Sequence, residues 1–179
     1  MAFDNKKTGG GKPFRQRRLR PHRAVPEKQE MLPAAVLYTV GMGRKKLQNL
    51  MQLLVDAGVQ LVADVRAYAA ESGPGFTRER DIAFLLKEVA GIEYRREEPL
   101  VPSREIREQF RRDHNWHRFE ESYLEMLRSE KVEESLNPEI YAAVKTCLLG
   151  DPESAEQDHR RLAAEYLQQQ WKIRRVEHL

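Results

Sequence analysis

Short apolar runs alternate with helix-periodic segments along this chain, and that alternation constrains its fold more than any other feature. Continuous apolar runs at 35–40 and 59–65 are typical of strands that are covered on both faces. Apolar residues recur at steps of three and four over 47–55 and 82–89, which predicts helices. A weaker strand follows at 92–95. The order predicts an α/β fold in three layers, with a mostly parallel sheet of about five strands and helices on both faces.

The second half of the chain continues the alternation after an interruption. We predict a helical insert near 103–130, where aromatic residues recur at helical spacing, and a fourth strand over the apolar run 140–149. Asp151 or Ser154 is predicted to cap the next helix. A last strand is predicted at 172–176. Residues 34–179 are therefore expected to form one domain.

The first part of the chain differs sharply in charge from the rest. Residues 1–26 contain eight Lys or Arg and one acid, whereas the remainder is acidic overall. Because this segment is rich in Gly and Pro and poor in apolar residues, we predict a disordered basic arm over 1–33. Such an arm could bind RNA or DNA by neutralising phosphates, or it could be a solubilising tail or an expression remnant. The candidate contacts are Lys12, Arg15, Arg17, Arg18, Arg20 and Arg23.

Several classes of protein are excluded by composition. No apolar run approaches the roughly 20 residues that a membrane-spanning helix needs. The lone Cys147 cannot form an internal disulfide, and the N-terminus lacks the apolar stretch of a secretory signal. We therefore expect a cytoplasmic protein without a membrane segment.

Glycines and polar residues follow the predicted strands, where parallel sheets form their ligand crevice. We expect the glycines and arginines there to bind a phosphate and two polar side chains to act in catalysis. The phosphate-binding candidates are Gly41, Gly43, Arg44, Arg66 and Arg160. The catalytic candidates are His159, as acid or base, and Asp64. Further residues of the pocket are Cys147, predicted to end the fourth strand, and Asp158.

Each candidate also has a purely structural interpretation. Asp64 and Arg66 could form a buried ion pair that fixes the end of a strand. His159 could be a helix-start residue hydrogen-bonded to a loop carbonyl, and Cys147 could be a small core residue. The sequence leaves these alternatives open.

The predicted insert carries charged and histidine residues of its own. Arginines and glutamates interleave over 104–113, a pattern typical of a solvated helix face. His114 and His117 could meet a metal together with His159, but such spacing arises easily in a polar helix. We predict neither a metal nor a cofactor.

A series of short segments follows one order along most of the chain. They are Tyr38-Thr39-Val40-Gly41, Asp64-Val65-Arg66, Pro74-Gly75-Phe76, the aromatics Trp116, Phe119 and Tyr123, then Cys147, Pro152 and His159-Arg160. Together they resemble the family called domain of unknown function 488 (DUF488), from about Leu37 to the C-terminus. In that family a Glu follows the first Cys by two residues and a second Cys precedes the His-Arg pair, whereas this chain has Leu149 and Asp158. The resemblance therefore implies a divergent member, altered or inactive if the family site is catalytic.

The retained residues suit a phosphate-bearing ligand. We expect a nucleotide or nucleic-acid segment to bind in the crevice, and a hydrolase or transferase reaction if the protein is an enzyme. The alternative is a catalytically degenerate adaptor that binds RNA or a ribonucleoprotein through the basic arm. A third alternative is a protein-interaction module. The sequence predicts no oligomeric state.

Overall fold

The computed structural model describes residues 36–69 and 75–179 and contains one five-stranded sheet. The predicted arm, 1–33, lies outside the described residues. The strands are β1 (Val36–Gly41), β2 (Leu61–Asp64), β3 (Glu93–Arg96), β4 (Thr146–Gly150) and β5 (Arg175–His178). Their order across the sheet is β3-β2-β4-β1-β5, and every neighbouring pair is parallel. The predicted α/β fold class is confirmed.

Helices connect the strands and cover both faces of the sheet. They are α1 (Leu47–Asp56), α2 (Glu79–Ala90), α3 (Arg104–Asp113), α4 (Trp116–Ser129), α5 (Val132–Ser135), α6 (Pro138–Ala143) and α7 (His159–Trp171). Short 3-10 helices span Gly75–Thr77 and Glu98–Leu100. The Ser103 hydroxyl accepts a hydrogen bond from the Ile106 amide at the start of α3, as a capping residue does.

Two hydrophobic cores lie on opposite faces of the sheet, because successive strand residues point to opposite sides. Val40 belongs to one core, together with Leu54 of α1 and Leu86 of α2. Leu37 belongs to the other, together with Leu127 of α4 and residues of α7. Each such side chain, fully buried, contributes roughly 1.5–3 kcal/mol of hydrophobic stabilisation. These two cores produce the three predicted layers.

The predicted strand at 140–149 is wrong in its first half. Asn137 caps a helix by accepting a hydrogen bond from the Glu139 amide, and Pro138 occupies the first helical position, where proline is favoured. Among the apolar residues that follow, Tyr141 lies on the buried side of α6. The strand begins only at Thr146. Cys147 therefore lies near the start of β4 and not at its end.

The boundaries of α7 and β5 also differ from the prediction. The side chain of Asp158 caps α7 by accepting a hydrogen bond from the Arg160 amide, so neither Asp151 nor Ser154 is its cap. At the other end Lys172 adopts a left-handed conformation with φ of 52°, which ends the helix. Since α7 extends to Trp171, the last strand begins later than predicted.

The chain leaves the carboxyl ends of neighbouring strands in opposite directions. β1 and β2 continue into α1 and α2 on one face, whereas β4 lies between them and continues into α7 on the other face. Such a switch point opens a crevice beyond the strand ends, where ligands bind in open α/β sheets. Among the described residues, no helix has both the length and the apolar character that crossing a bilayer requires.

Candidate functional site

Asp64 is the centre of a buried hydrogen-bond network at the end of β2. Its carboxylate accepts hydrogen bonds from the backbone amide of Arg66 at 3.0 Å, from the Arg66 guanidinium at 2.6–3.1 Å and from the Tyr94 hydroxyl at 2.7 Å. The Arg96 guanidinium forms an ion pair with it at 3.5 Å. Each of these groups is directed at the same enclosed carboxylate.

The Arg66 side chain is only 1% exposed, and its remaining Nη1 donates to the Thr77 carbonyl at 2.7 Å. Burial opposes its charged form, but the hydrogen bonds and charge of Asp64 outweigh burial and raise the pKa of Arg66. The guanidinium thus links the end of β2 to the segment that begins α2. This geometry matches the structural interpretation of Asp64 and Arg66, a buried ion pair that fixes the end of a strand.

Arg160 fixes the loop between β4 and α7. Its Nη1 donates to an oxygen of Asp158 and to the Pro152 carbonyl at 2.8 Å, and its Nη2 donates to the Glu153 carbonyl at 3.1 Å. The side chain is 1% exposed, and burial lowers the pKa of Arg160 to about 10. Its guanidinium is directed at the loop backbone.

Gly41 at the end of β1 and Gly43 just beyond it lie close to the same loop. A methyl group on Gly41 would lie 1.8 Å from the Pro152 carbonyl oxygen. The amides of Met42 and Gly43 donate to the carbonyls of Gly150 and Asp151 at 2.8 and 2.7 Å, so these two amides are occupied by backbone. Arg44 is exposed.

Both ring nitrogens of His159 face protein groups, but only Nε2 forms a hydrogen bond in the neutral ring. Nε2 lies 2.6 Å from the Val65 carbonyl oxygen, which can only accept, so we assign the proton to Nε2. Nδ1 lies 3.1 Å from the Asp158 carboxylate, and the ring packs edge-on against Tyr123. Burial lowers the pKa of His159. The ring lines the cavity described below, and its hydrogen bond to the Val65 carbonyl fixes its position.

Cys147 is fully enclosed in the core that contains α1 and α2. Burial raises the pKa of its thiol, so the thiolate that a nucleophile needs is disfavoured. This environment matches the interpretation of Cys147 as a small core residue.

A cavity of about 370 Å³ opens beyond the carboxyl ends of β2 and β4, with α3 and the start of α4 on its far side. We refer to it below as the cavity. Its principal lining residues are Tyr68, Arg107, Phe110, Arg111, Trp116 and Asp151. Of the predicted site residues, Asp158 and His159 line it. The lining formed by the described residues does not include the other predicted residues, which are Gly41, Gly43, Arg44, Asp64, Arg66, Cys147 and Arg160.

Two arginines of α3 hold positive charge over the cavity. Arg107 and Arg111 are four residues apart and so share one helix face. The Arg107 guanidinium lies 4.8 Å from the centre of the Tyr68 ring, and Arg111 Nη2 donates to the Tyr68 hydroxyl at 2.6 Å. Within the described part of the chain, neither arginine forms an ion pair with a carboxylate. The interpretation of 104–113 as a simple solvated face missed these two positions.

Aromatic side chains form the adjoining wall. Trp116 stacks on Phe119 with ring centres 5.1 Å apart, and Phe110 meets Trp116 edge-on at 6.0 Å. Phe119 is buried, whereas Phe110 and Trp116 are half-buried and line the cavity. The wall therefore offers apolar ring surface next to two cations.

Asp151 is the half-buried acid of the cavity, directly after β4. Burial raises the pKa of this carboxyl; the charges of Arg66, His159 and Arg96 act in the opposite direction, while Asp64 adds to the rise. No described residue donates a hydrogen bond to the carboxylate. We predicted Asp151 only as a helix cap, although its position directly after a strand at the switch point is a signal that sequence reasoning could have used.

No group of three or more His, Cys, Asp or Glu in residues 36–69 and 75–179 is arranged to hold a metal ion. His117 instead lies 3.4 Å from Glu121 on the exposed surface of α4. What the cavity combines is positive charge, aromatic surface and two carboxylates, of which Asp158 is already paired with Arg160. Such a set can bind an anion, pack against a flat ring and accept hydrogen bonds.

The fold and the cavity define an α/β protein with a doubly wound parallel sheet and a candidate ligand site at its switch point. The family model described as "Domain of unknown function DUF488" matches residues 46–167, which is more than half of the chain. The protein belongs to the DUF488 family, as its resemblance predicts. The match includes every lining residue named above but begins after Gly41 and Gly43. No curated protein and no solved structure matches the chain.

Proposed function

We propose that the cavity binds a nucleotide, either free or at the end of a nucleic acid. Arg107 and Arg111 hold the phosphate, and the base packs against Phe110 and Trp116. Two arginines share one cavity with half-buried aromatic surface, and neither has a carboxylate partner in the part of the chain that the structure describes; this observation carries the proposal. Guanidinium groups suit phosphate oxygens, and aromatic rings stack on bases.

The ligand class is the one predicted from the sequence, but the residues assigned to the phosphate change. Arg66 and Arg160 are each 1% exposed and already bound to carboxylates, so reaching a phosphate would require breaking a buried ion pair. We assign them the role of fixing β2 and the loop before α7. His159 forms a wall that supports the cavity.

Binding, rather than a hydrolase or transferase reaction, is the function we favour. Asp64 and Cys147 are fully enclosed, and His159 is 8% exposed with both ring nitrogens directed at protein groups. A group that exchanges a proton with a substrate must come within hydrogen-bond reach of it. None of these three candidates has an ionisable atom within hydrogen-bond reach of a substrate in the cavity.

The test is calorimetric titration of the full chain with AMP, GMP, CMP and UMP, and with the corresponding nucleosides. We expect at least one nucleotide to bind, and to bind more tightly than its nucleoside. The double variant Arg107→Gln/Arg111→Gln should bind at least tenfold more weakly, since hydrogen bonds to charged groups contribute about 1.5–3 kcal/mol each.

Arg104→Gln/Arg112→Gln is the matched control, because it removes two charges from the same helix. Both arginines are exposed, and neither lines the cavity. The control should bind as the wild type does. If no nucleotide binds, or if both double variants behave alike, the proposal is wrong.

The second candidate function is the adaptor that binds RNA through its basic arm. The observation that favours it is the concentration of eight basic residues against one acid in residues 1–26. Binding of that kind falls with salt, with a logarithmic slope of about 0.7 per neutralised phosphate on single strands.

Anisotropy of a labelled single-stranded RNA, measured at several salt concentrations, separates the two functions. The full chain with serine at Lys12, Arg15, Arg17, Arg18, Arg20 and Arg23 is compared with Arg107→Gln/Arg111→Gln. If only the arm variant loses binding and the salt slope, the arm is the nucleic-acid contact. If only the cavity variant loses binding, the cavity is.

A further inference from the structure

The Asp151 carboxylate accepts no hydrogen bond from residues 36–69 and 75–179. Of the charged groups that face it, Arg66 and Asp64 of the β2 end bind each other, and Arg96 of β3 donates to the Arg66 carbonyl at 2.5 Å. His159 of α7 donates to the Val65 carbonyl. A half-buried carboxylate without donors is unfavourable, so a ligand that supplies donors gains affinity at this position.

The shape of the cavity restricts what those donors can be. An ionised carboxylate has only acceptors, on two oxygens that lie side by side. Its best partner is a pair of neighbouring N–H groups in one plane, which binds both oxygens together. The aromatic wall formed by Phe110 and Trp116 favours a flat ring. The ligand should therefore be a planar ring with two adjacent donors on its edge.

Among the common bases, guanine alone has that edge, with N1–H next to the N2 amino group. Adenine and cytosine each place an amino group next to a bare ring nitrogen, whose lone pair would face the carboxylate. Uracil has one N–H between two carbonyl oxygens. A site whose polar group is left unpaired, or faces a lone pair, discriminates strongly against such a ligand.

We propose that the cavity is selective for guanine nucleotides, with the Asp151 carboxylate accepting hydrogen bonds from guanine N1–H and the N2 amino group. This inference rests on the proposed function, in which Arg107 and Arg111 hold the phosphate. It makes Asp151 the residue that determines base specificity.

The test compares GMP, IMP and AMP by calorimetric titration of the full chain at pH 7. We expect GMP to bind about 10- to 100-fold more tightly than AMP, the range for one good bidentate contact to a base. IMP, which keeps N1–H but lacks the N2 amino group, should fall between them. Asp151→Asn should weaken GMP binding at least tenfold and leave AMP binding unchanged or improved, because the amide offers one donor and one acceptor.

Glu153→Gln is the matched control, since it removes one negative charge from the same loop at an exposed side chain outside the cavity lining. It should preserve the preference for GMP. A second measurement uses the wild type alone: the ratio of GMP affinity to AMP affinity should fall as the pH is lowered and Asp151 becomes protonated. The phosphate, whose second pKa is about 6, titrates in both ligands, so its effect cancels in the ratio.

The outcomes separate this inference from the proposed function. Equal binding of GMP and AMP that is lost in Arg107→Gln/Arg111→Gln would overturn guanine selectivity but support the nucleotide site. An unchanged preference for GMP in Asp151→Asn would show that another group reads the base. Absence of binding by any nucleotide would overturn both.

Discussion

Near the carboxyl ends of the strands, two groups of described arginines and aspartates differ in how their charges are satisfied. The buried ion-pair cluster consists of Asp64 with Arg66 and Asp158 with Arg160. The cavity charges are Arg107, Arg111 and Asp151. In the first cluster each arginine is 1% exposed and faces a carboxylate, whereas in the second no ion pair forms among the described residues.

The difference shows that residue type and distance from a strand end do not identify a binding group. What does identify it is whether the protein itself already supplies the partner. A buried pair costs a great deal to break but contributes little beyond a well-packed apolar pair. An unpaired charge in an open cavity is cheap to remove and affects stability little. The two clusters should therefore respond to substitution in opposite ways.

The largest expected effect is on the buried ion-pair cluster. Asp64→Ala leaves the enclosed Arg66 without its partner and removes the acceptor of the Tyr94 hydroxyl. We expect a loss of about 3–5 kcal/mol in the free energy of unfolding, measured by urea denaturation. Arg107→Gln, from the cavity charges, should change it by no more than about 1 kcal/mol, since it loses the contact with the Tyr68 ring and two long hydrogen bonds to backbone carbonyls. Similar losses of unfolding free energy in the two variants would contradict the distinction between the buried ion-pair cluster and the cavity charges.

A smaller loss of stability is expected on substitution of Gly41, which lies against the loop that Arg160 fixes. In Gly41→Ala the added methyl group would meet the Pro152 carbonyl oxygen at 1.8 Å, so the backbone must move. Overpacking of this kind costs about 1–3 kcal/mol. Gly75→Ala is the control, because a methyl group there has no neighbour within 4 Å. Equal thermal stability of the two variants would show that the loop does not depend on Gly41.

Most of the fold can be predicted from the sequence because periodicity and apolar runs report burial directly. β1, α1, β2 and α2 all follow from such runs. The run at 140–149 fails because a short helix and a strand lie end to end, and the apolar pattern does not separate them. There Asn137 and Pro138 are the usable signal for a helix start.

The site is harder to predict because its members depend on pairing in three dimensions. Asp64 and Arg66 are two residues apart, and the sequence alone does not tell whether they bind each other or a ligand. Arg107 and Arg111 lie among glutamates, as surface arginines do, and only the fold places Tyr68 beneath them. The resemblance to DUF488 identified the right strand ends and part of the lining, including Trp116 and His159, but not Arg107 and Arg111.

The smallest expected effect on the free energy of unfolding is at Asp151. Substitution there should stabilise the protein, whereas Asp64→Ala should destabilise it. Burial raises the pKa of Asp151 above its ordinary value of 3.8, so ionisation is less favourable in the folded protein than in the unfolded chain. Stability is therefore lost as the pH rises from about that value through the folded pKa. Asp151→Asn avoids this loss, and we expect it to be more stable than the wild type at pH 7 by about 0.5 kcal/mol, the lower end for single stabilising substitutions.

The difference in unfolding free energy between wild type and Asp151→Asn, measured against pH, isolates this group. It should vanish below the ordinary pKa of 3.8 and reach a plateau at neutral pH. His159, whose pKa is lowered by burial, destabilises both proteins as the pH falls below its ordinary value of 6.5, so its contribution largely cancels. A less stable Asp151→Asn at pH 7 would mean that the folded protein already supplies donors to this carboxylate. Asp151 would then belong with the buried ion-pair cluster, and the reason to expect a guanine edge against it would disappear.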